Sequence, residues 1–227
     1  MPLVLLPGLD GTEVFLRPLI AQLPASVRPV VIGYAGAGGY DDLLPKVRRT
    51  VSQLPECYVL GWSFGGPLAL MLAAEEPDRV RGVILSSTFV RAPRPWLAPF
   101  GFALVSPVIW LYRGGRRLPA SLFRPPTDPW RVAKAETWRR TPARVVAARI
   151  RASLRVDVRP LLSTCRQPVL CLAASRDIVV PRHNVDEIRC VRPSVDIVSV
   201  DGGHLAIYTN PESAAHAIMT FIAARER

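Results

Sequence analysis

Six short apolar runs punctuate the chain: residues 2–6 (PLVLL), 28–34 (RPVVIGY), 57–61 (CYVLG), 80–86 (VRGVILS), 168–174 (PVLCLAA) and 195–200 (VDIVSV). Several are continuous rather than alternating. A strand with one wet face alternates apolar and polar residues, whereas a strand buried on both faces does not. Between the runs, residues 14–23, 40–54, 65–76 and 211–225 carry apolar residues at helical spacing. Asn210-Pro211-Glu212 is a helix-start signal, with Asn at the N-cap, Pro at the first helical position and an acid in the first turn. Strand and helix alternate, which predicts an α/β fold with a mostly parallel sheet flanked by helices.

The alternation stops after residue 88 and resumes near 167. Residues 1–88 and 167–227 therefore read as one core, and residues 89–166 as a helical cap inserted into it. The cap has two parts. Residues 95–112 are uncharged and apolar but are broken by Pro95, Pro99 and Pro107. Such a stretch sits at the lower limit for a membrane span; its prolines and the lack of a second apolar segment favour a lid that lines an apolar pocket, with shallow membrane contact left open. Residues 130–138 and 143–154 are the helix candidates of the second, arginine-rich part.

Charge sharpens this division. The chain has 227 residues and a net charge of +11, and residues 113–159 hold thirteen lysines and arginines against Asp128, Glu136 and Asp157. Nearly all the excess charge thus lies in the cap. No nucleic-acid-binding motif accompanies it, so nucleic acid is not an expected partner. Cys57, Cys165, Cys171 and Cys190 show no CxxC spacing. They read as buried free thiols of a reducing compartment, and with no basic leader ahead of the first apolar run the expected location is the cytoplasm. Three histidines and unclustered cysteines leave no ligand set for a metal.

The chemistry concentrates at GWSFGG, residues 61–66. A serine on a sharp strand-to-helix turn needs small neighbours, and Gly61 and Gly65 supply them. The helix that follows points its positive end at the turn, which favours developing negative charge. A serine nucleophile needs a base. His204, in DGGHLAIYTNP, follows the last strand on a glycine-rich loop, whereas His216 falls inside the final helix and His183 at a charged helix start. Asp177, in ASRDIVVP, follows the strand before and suits an orienting carboxylate better than Asp186, Asp196 or the turn-bound Asp201. Open α/β sheets place their sites at these strand ends.

With Ser63, Asp177 and His204 in that order, the chain resembles the serine hydrolases of the α/β-hydrolase fold over residues 3–221. The resemblance implies Ser63 as nucleophile, His204 as general base and then acid, Asp177 as orienter, and no cofactor. Such enzymes usually carry His-Gly after the first core strand; here the chain reads LLPGLDGT, with Pro7 in the histidine's place. Backbone amides do the oxyanion work, so Leu9 N–H and Phe64 N–H are the candidates. Asp10 also suits a cap for the next helix. Trp62, Trp96, Phe100, Phe102 and Trp110 suit a substrate pocket or ordinary packing.

Within the fold, GWSFGG, PDRVRGVILSS and the basic cap are similar to the pimeloyl-acyl-carrier methyl esterases of biotin synthesis. That resemblance implies an acyl ester substrate delivered by an acidic acyl carrier protein. Arg139, Arg140, Arg144, Arg149, Arg151 and Arg155 would then meet the carrier. Acyl thioesterase and lipase-like chemistry remain open on the motif alone, as does a non-catalytic binding module built on the basic cap.

Overall fold

In this computed structural model, which describes residues 1–34, 36, 38–96 and 129–226, six strands form a parallel sheet. They are β1 (Pro2–Leu6), β2 (Arg28–Val31), β3 (Cys57–Trp62), β4 (Val80–Ser86), β5 (Val169–Ala174) and β6 (Asp196–Val200), in the spatial order β2-β1-β3-β4-β5-β6. Consecutive side chains of β1, β3, β4 and β5 enter opposite cores. Val4, Leu6, Val59, Val83, Leu85 and Val169 face one side, where they meet α2 (Tyr40–Val51) and α3 (Gly65–Glu75) through Leu43, Val47, Leu68 and Leu72. Leu3, Leu5, Leu60, Ile84, Leu170 and Leu172 face the other. There they meet α1 (Arg17–Gln22) and the C-terminal helix (Pro211–Ala223) through Leu19, Ile218 and Phe221. A two-sided core explains the continuous apolar runs.

Three local expectations change. The predicted helix at 14–23 divides into a 3₁₀ turn, Val14–Leu16, and α1, because Pro18 starts a helix readily but cannot continue one. β2 stops at Val31, three residues early, since Tyr34 N–H donates to Gly11 O (3.1 Å) and leaves the ladder. Asn210 does precede a helix with Pro211 and Glu212 in its first turn, but its side chain makes no capping bond. Of the cysteines, all free, Cys57 and Cys171 are buried, Cys165 is half-buried and Cys190 is exposed.

Residues 89–166 leave and rejoin the core side by side. Ala92 N–H donates to Val156 O (3.0 Å) and Val158 N–H to Val90 O (2.7 Å), an antiparallel clasp around Arg91 and Asp157. The described part contains α4 (Pro129–Arg140), α5 (Ala143–Ser153) and α6 (Arg159–Thr164). α6 packs with the main core: Leu162 is fully buried among the residues of the α3 side. Among the described residues no helix is long and apolar enough to cross a membrane; most of the apolar stretch at 95–112 lies outside them.

Charge ties α4 to the core. Arg140 donates to both Glu13 oxygens (2.7 and 2.9 Å), and Arg17 donates to Glu13 and Glu136 (2.7 and 2.8 Å). The Arg140 hydrogen bond holds the Glu13 carboxyl at about 2, below its ordinary 4.5. A depressed carboxylate stabilises the fold fully above 4.5 and loses that contribution as pH falls toward 2. Solvent screening limits it to about 1 kcal/mol. Glu13→Gln should therefore lower Tm by roughly 2–4 °C at pH 7, and scans at decreasing pH should show the gap to wild type closing between about pH 4.5 and 2.

Candidate active site

The strand order creates the crevice. From β1 the chain crosses to β2 by way of α1 on one face of the sheet, then returns past β1 to β3 and continues into α3 on the opposite face. The chain after β1 and the chain after β3 therefore run to opposite faces of the sheet from the strands' C-terminal ends. Ligands of open α/β sheets bind at such switch points.

Ser63 occupies the turn after β3 at φ +52°, in the left-handed region that a side chain enters at a cost of roughly 1–3 kcal/mol. Its surroundings hold it there. Ser63 N–H donates to Ser86 O (2.9 Å), and Ser63 O accepts from Gly66 N–H (3.1 Å) and from Thr88 Oγ1. The three glycines of the motif are needed for close contact, since none of them has a positive φ. A Cβ on Gly61 would stand 2.3 Å from Gly65 O, one on Gly65 2.4 Å from Leu6 O, and one on Gly66 2.1 Å from Thr88 Oγ1. Below these contacts Phe64 is fully buried, stacked on Tyr40 at 4.4 Å and edge-on to Tyr34 at 6.2 Å.

The structure brings Ser63, His204 and Asp177 into one hydrogen-bonded chain. His204 Nε2 lies 2.9 Å from Ser63 Oγ and Nδ1 lies 2.8 Å from Asp177 Oδ2. A carboxylate only accepts, so Nδ1 carries the proton and Nε2 is left to accept from the serine. Asp177 Oδ1 accepts from Val179 N–H (2.9 Å) and Val180 N–H (2.8 Å), which fixes the carboxylate in a side chain only 5% exposed. Trp62, 4% exposed, packs edge-on to Phe15, covers Gly8 and donates its indole N–H to His204 O (3.3 Å). It lies in the core as a support for the histidine loop.

The rival residues stand elsewhere. His216 sits on the exposed side of the C-terminal helix, and His183 is an exposed residue whose ring nitrogen lies 3.1 Å from Pro93 O. Asp201 bonds Ser175 and Arg176, and Asp196 pairs with Arg225. Asp186 is an exposed residue in the first turn of α7 (His183–Val191).

Against the elbow lies the Pro7–Thr12 loop. Neither Leu9 N–H nor Phe64 N–H donates to a protein acceptor among the described residues. Phe64 caps α3, where helix amides lack partners of their own. Asp10 closes its own loop by accepting from Thr12 N–H (3.0 Å) and Thr12 Oγ1, instead of capping the next helix. Burial pushes its carboxyl above the ordinary range.

The basic residues of the cap divide into unlike groups. Arg139, Arg144 and Arg155 are exposed and Arg151 is half-buried. Arg140 is committed to Glu13 and Glu136. Arg149 is fully buried, so it offers no surface to a carrier. Its guanidinium donates to Leu9 O (2.7 Å) and to Tyr34 O. The helical pattern held a signal for this: Val145, Arg149 and Ser153 recur every four residues and share the buried side of α5. Trp96 is 57% exposed, 6.1 Å from the His183 ring; Phe100, Phe102 and Trp110 lie outside the described residues.

The profile of the alpha/beta hydrolase family matches residues 3–217. The chain belongs to this family. Among its relatives is a poly(3-hydroxyalkanoate) depolymerase of Ectopseudomonas oleovorans, 23% identical with 97% of this chain aligned to 84% of that one. A pimeloyl-[acyl-carrier protein] methyl ester esterase of Neisseria meningitidis is 26% identical, with 72% of this chain aligned to 68% of that one. Among solved structures, an esterase from Exiguobacterium antarcticum superposes with a TM-score of 0.81 at 16% identity, covering 98% of this chain and 92% of that one. At that identity the likeness is one of fold.

The glycine contacts have a direct consequence. Gly61→Ala, Gly65→Ala and Gly66→Ala should each lower Tm by on the order of 3–10 °C through overpacking. Gly203→Ala, whose nearest neighbouring atom would be 3.8 Å away, should leave Tm within about 2 °C. Thermal melts of the four variants check this.

Proposed function

We propose that this alpha/beta hydrolase is a serine carboxylic ester hydrolase acting through an acyl-enzyme. One observation carries the reading: the unbroken chain Ser63 Oγ, His204, Asp177 at the ends of β3, β6 and β5, with the serine on a positive-φ turn. The named activities of the relatives support it, since they include esterases and a depolymerase.

In the forward step Ser63 Oγ bonds to the acyl carbon as its proton passes to His204 Nε2. The imidazolium is stabilised by Asp177. The carbonyl electrons move to oxygen, where Leu9 N–H and Phe64 N–H donate to the oxyanion. The carbon–oxygen bond to the leaving group breaks, and His204 returns its proton to the departing alkoxide. Water then repeats the sequence on the acyl-Ser63 ester, releasing the acid and restoring the serine. Asp177 keeps the ring aimed throughout, held by two backbone amides on one oxygen and accepting from His204 Nδ1–H on the other.

The finer reading is an acyl methyl ester carried by an acidic acyl carrier protein, as the Neisseria relative's name describes for that protein. The cap of residues 89–166 would shape the acyl pocket, and the exposed Arg139, Arg144 and Arg155, with Arg151 beside them, would steer the carrier and meet its phosphate. The sheet, the elbow and this basic face need no cofactor for the reaction drawn.

Turnover of a short p-nitrophenyl ester tests the first reading. Ser63→Ala and His204→Ala should each lose about 10³-fold or more in kcat, while His183→Ala keeps wild-type rates. Equal residual rates in wild type and Ser63→Ala would sink the esterase reading. For the carrier, the triple substitution Arg139→Glu, Arg144→Glu, Arg155→Glu should lower kcat/KM about tenfold or more on a carrier-bound methyl ester and spare the small ester. A parallel loss on both substrates would assign the arginines to structure alone.

A further inference from the structure

The Pro7–Thr12 loop can be followed carbonyl by carbonyl. Pro7 O accepts from the Tyr34 hydroxyl, and Gly8 O accepts from Gly11 N–H at 3.0 Å. Leu9 O accepts from Arg149 Nη1 at 2.7 Å, Asp10 O from Thr141 Oγ1 at 2.6 Å, and Gly11 O from Tyr34 N–H at 3.1 Å. Five consecutive carbonyls are thus engaged. A trans peptide is planar and its N–H points opposite its C=O. Fixing Gly8 O therefore fixes the direction of Leu9 N–H, and fixing Leu9 O stops residue 9 from turning about its other peptide.

Two of the five donors are not on the hydrolase core. Thr141 lies in the turn between α4 and α5, and Arg149 on α5. Arg149 reaches through a gap that only glycine leaves: a Cβ on Gly11 would stand 2.6 Å from its Nη1, and Gly11 itself has φ +68°. The guanidinium also sits 5.1 Å over the Tyr34 ring, and that ring packs against Phe64. Arg149 thus spans the loop bearing Leu9 N–H and, through Tyr34, the side chain beneath Phe64 N–H.

We propose that Arg149 and Thr141 are positioning residues, which hold the Leu9 and Asp10 carbonyls from the cap segment and so aim the Leu9 amide at the oxyanion formed on Ser63. This rests on the ester hydrolase reading. Neither side chain touches the acyl group; each acts through the backbone it holds. The cap segment is thereby part of the oxyanion hole's framework as well as a neighbour of the substrate.

The test pairs steady-state kinetics on a p-nitrophenyl ester with affinity for an alkyl trifluoromethyl ketone. Ser63 Oγ adds to that carbonyl, its proton passes to His204, and the resulting oxyanion occupies the hole. Arg149→Met should lower kcat about 10- to 100-fold with KM within about threefold, and weaken the ketone by a similar factor. Arg149→Lys, which keeps one donor, should recover part of both, and Thr141→Val should show a smaller loss of the same kind. Unchanged kcat per folded molecule and unchanged ketone affinity, with only a lower Tm, would overturn the proposal. If Arg149→Met fails to fold, Arg149→Lys and Thr141→Val decide by the same two readouts. An active Ser63→Ala would instead sink the hydrolase reading beneath it, whatever the Arg149 variants do.

Discussion

The first turn of α3 begins against the backbone that ends β1, and the site depends on that approach. Gly65 lies so close to the Leu6 and Pro7 carbonyls that no side chain fits between them. The elbow is consequently pressed against the backbone that opens the Pro7–Thr12 loop. The positive φ of Ser63 is the conformational cost of the turn that brings its Oγ to His204. Hydrogen bonds from Gly66 and Thr88 to its carbonyl, and from its amide to Ser86, outweigh a strain of a few kcal/mol. Strain of this size persists only where the surroundings leave the chain no alternative.

The same logic assigns the carboxylate. Asp177 and Asp201 both sit near His204 in the fold, and both would have been serviceable by charge. Asp201 is exposed and spends its oxygens on Ser175 and Arg176, which close the two loops on each other. The Ser175 hydrogen bond and Arg176 hold its carboxyl below the usual range. Asp177 is enclosed, with backbone amides on one oxygen and the imidazole on the other. An enclosed carboxylate whose remaining acceptor meets Nδ1 fixes the ring's tautomer and direction; an exposed one shared with arginine does not.

Much of this was legible in the sequence because it follows from periodicity and from steric demand. The two-sided core produced unbroken apolar runs, and the elbow could be read from Gly61, Gly65 and Gly66 around Ser63. What escaped is long-range and polar. Nothing near Tyr34 announces that its hydroxyl holds Pro7 O, a contact 27 residues away in the chain. In the sequence Arg149 groups with its exposed neighbours because charge density is a regional property, whereas burial is decided residue by residue on a helix. Its spacing from Val145 and Ser153 carried the correct face; the expectation that a charged side chain stays in water outweighed it. Asp10 misled in the opposite way: an acid before a helix is usually a cap, and here it folds back on Thr12.

A buried guanidinium is an expensive way to join a cap to a core. Burial disfavours the charged forms of both Arg149 and Asp10, raising the acid and lowering the base, although each favours the other's charge. Well-packed apolar residues commonly stabilise a core at least as well as a buried ion pair. What they cannot do is donate to carbonyls, and Leu9 O and Tyr34 O come from two chain segments that approach the same point. A guanidinium offers several donors in one rigid plane, so a single side chain bridges both; an ammonium on a flexible stem meets them less specifically. Stability alone therefore gives little reason for an arginine at position 149. The need to hold the carbonyls of the Pro7–Thr12 loop in one orientation gives a better one.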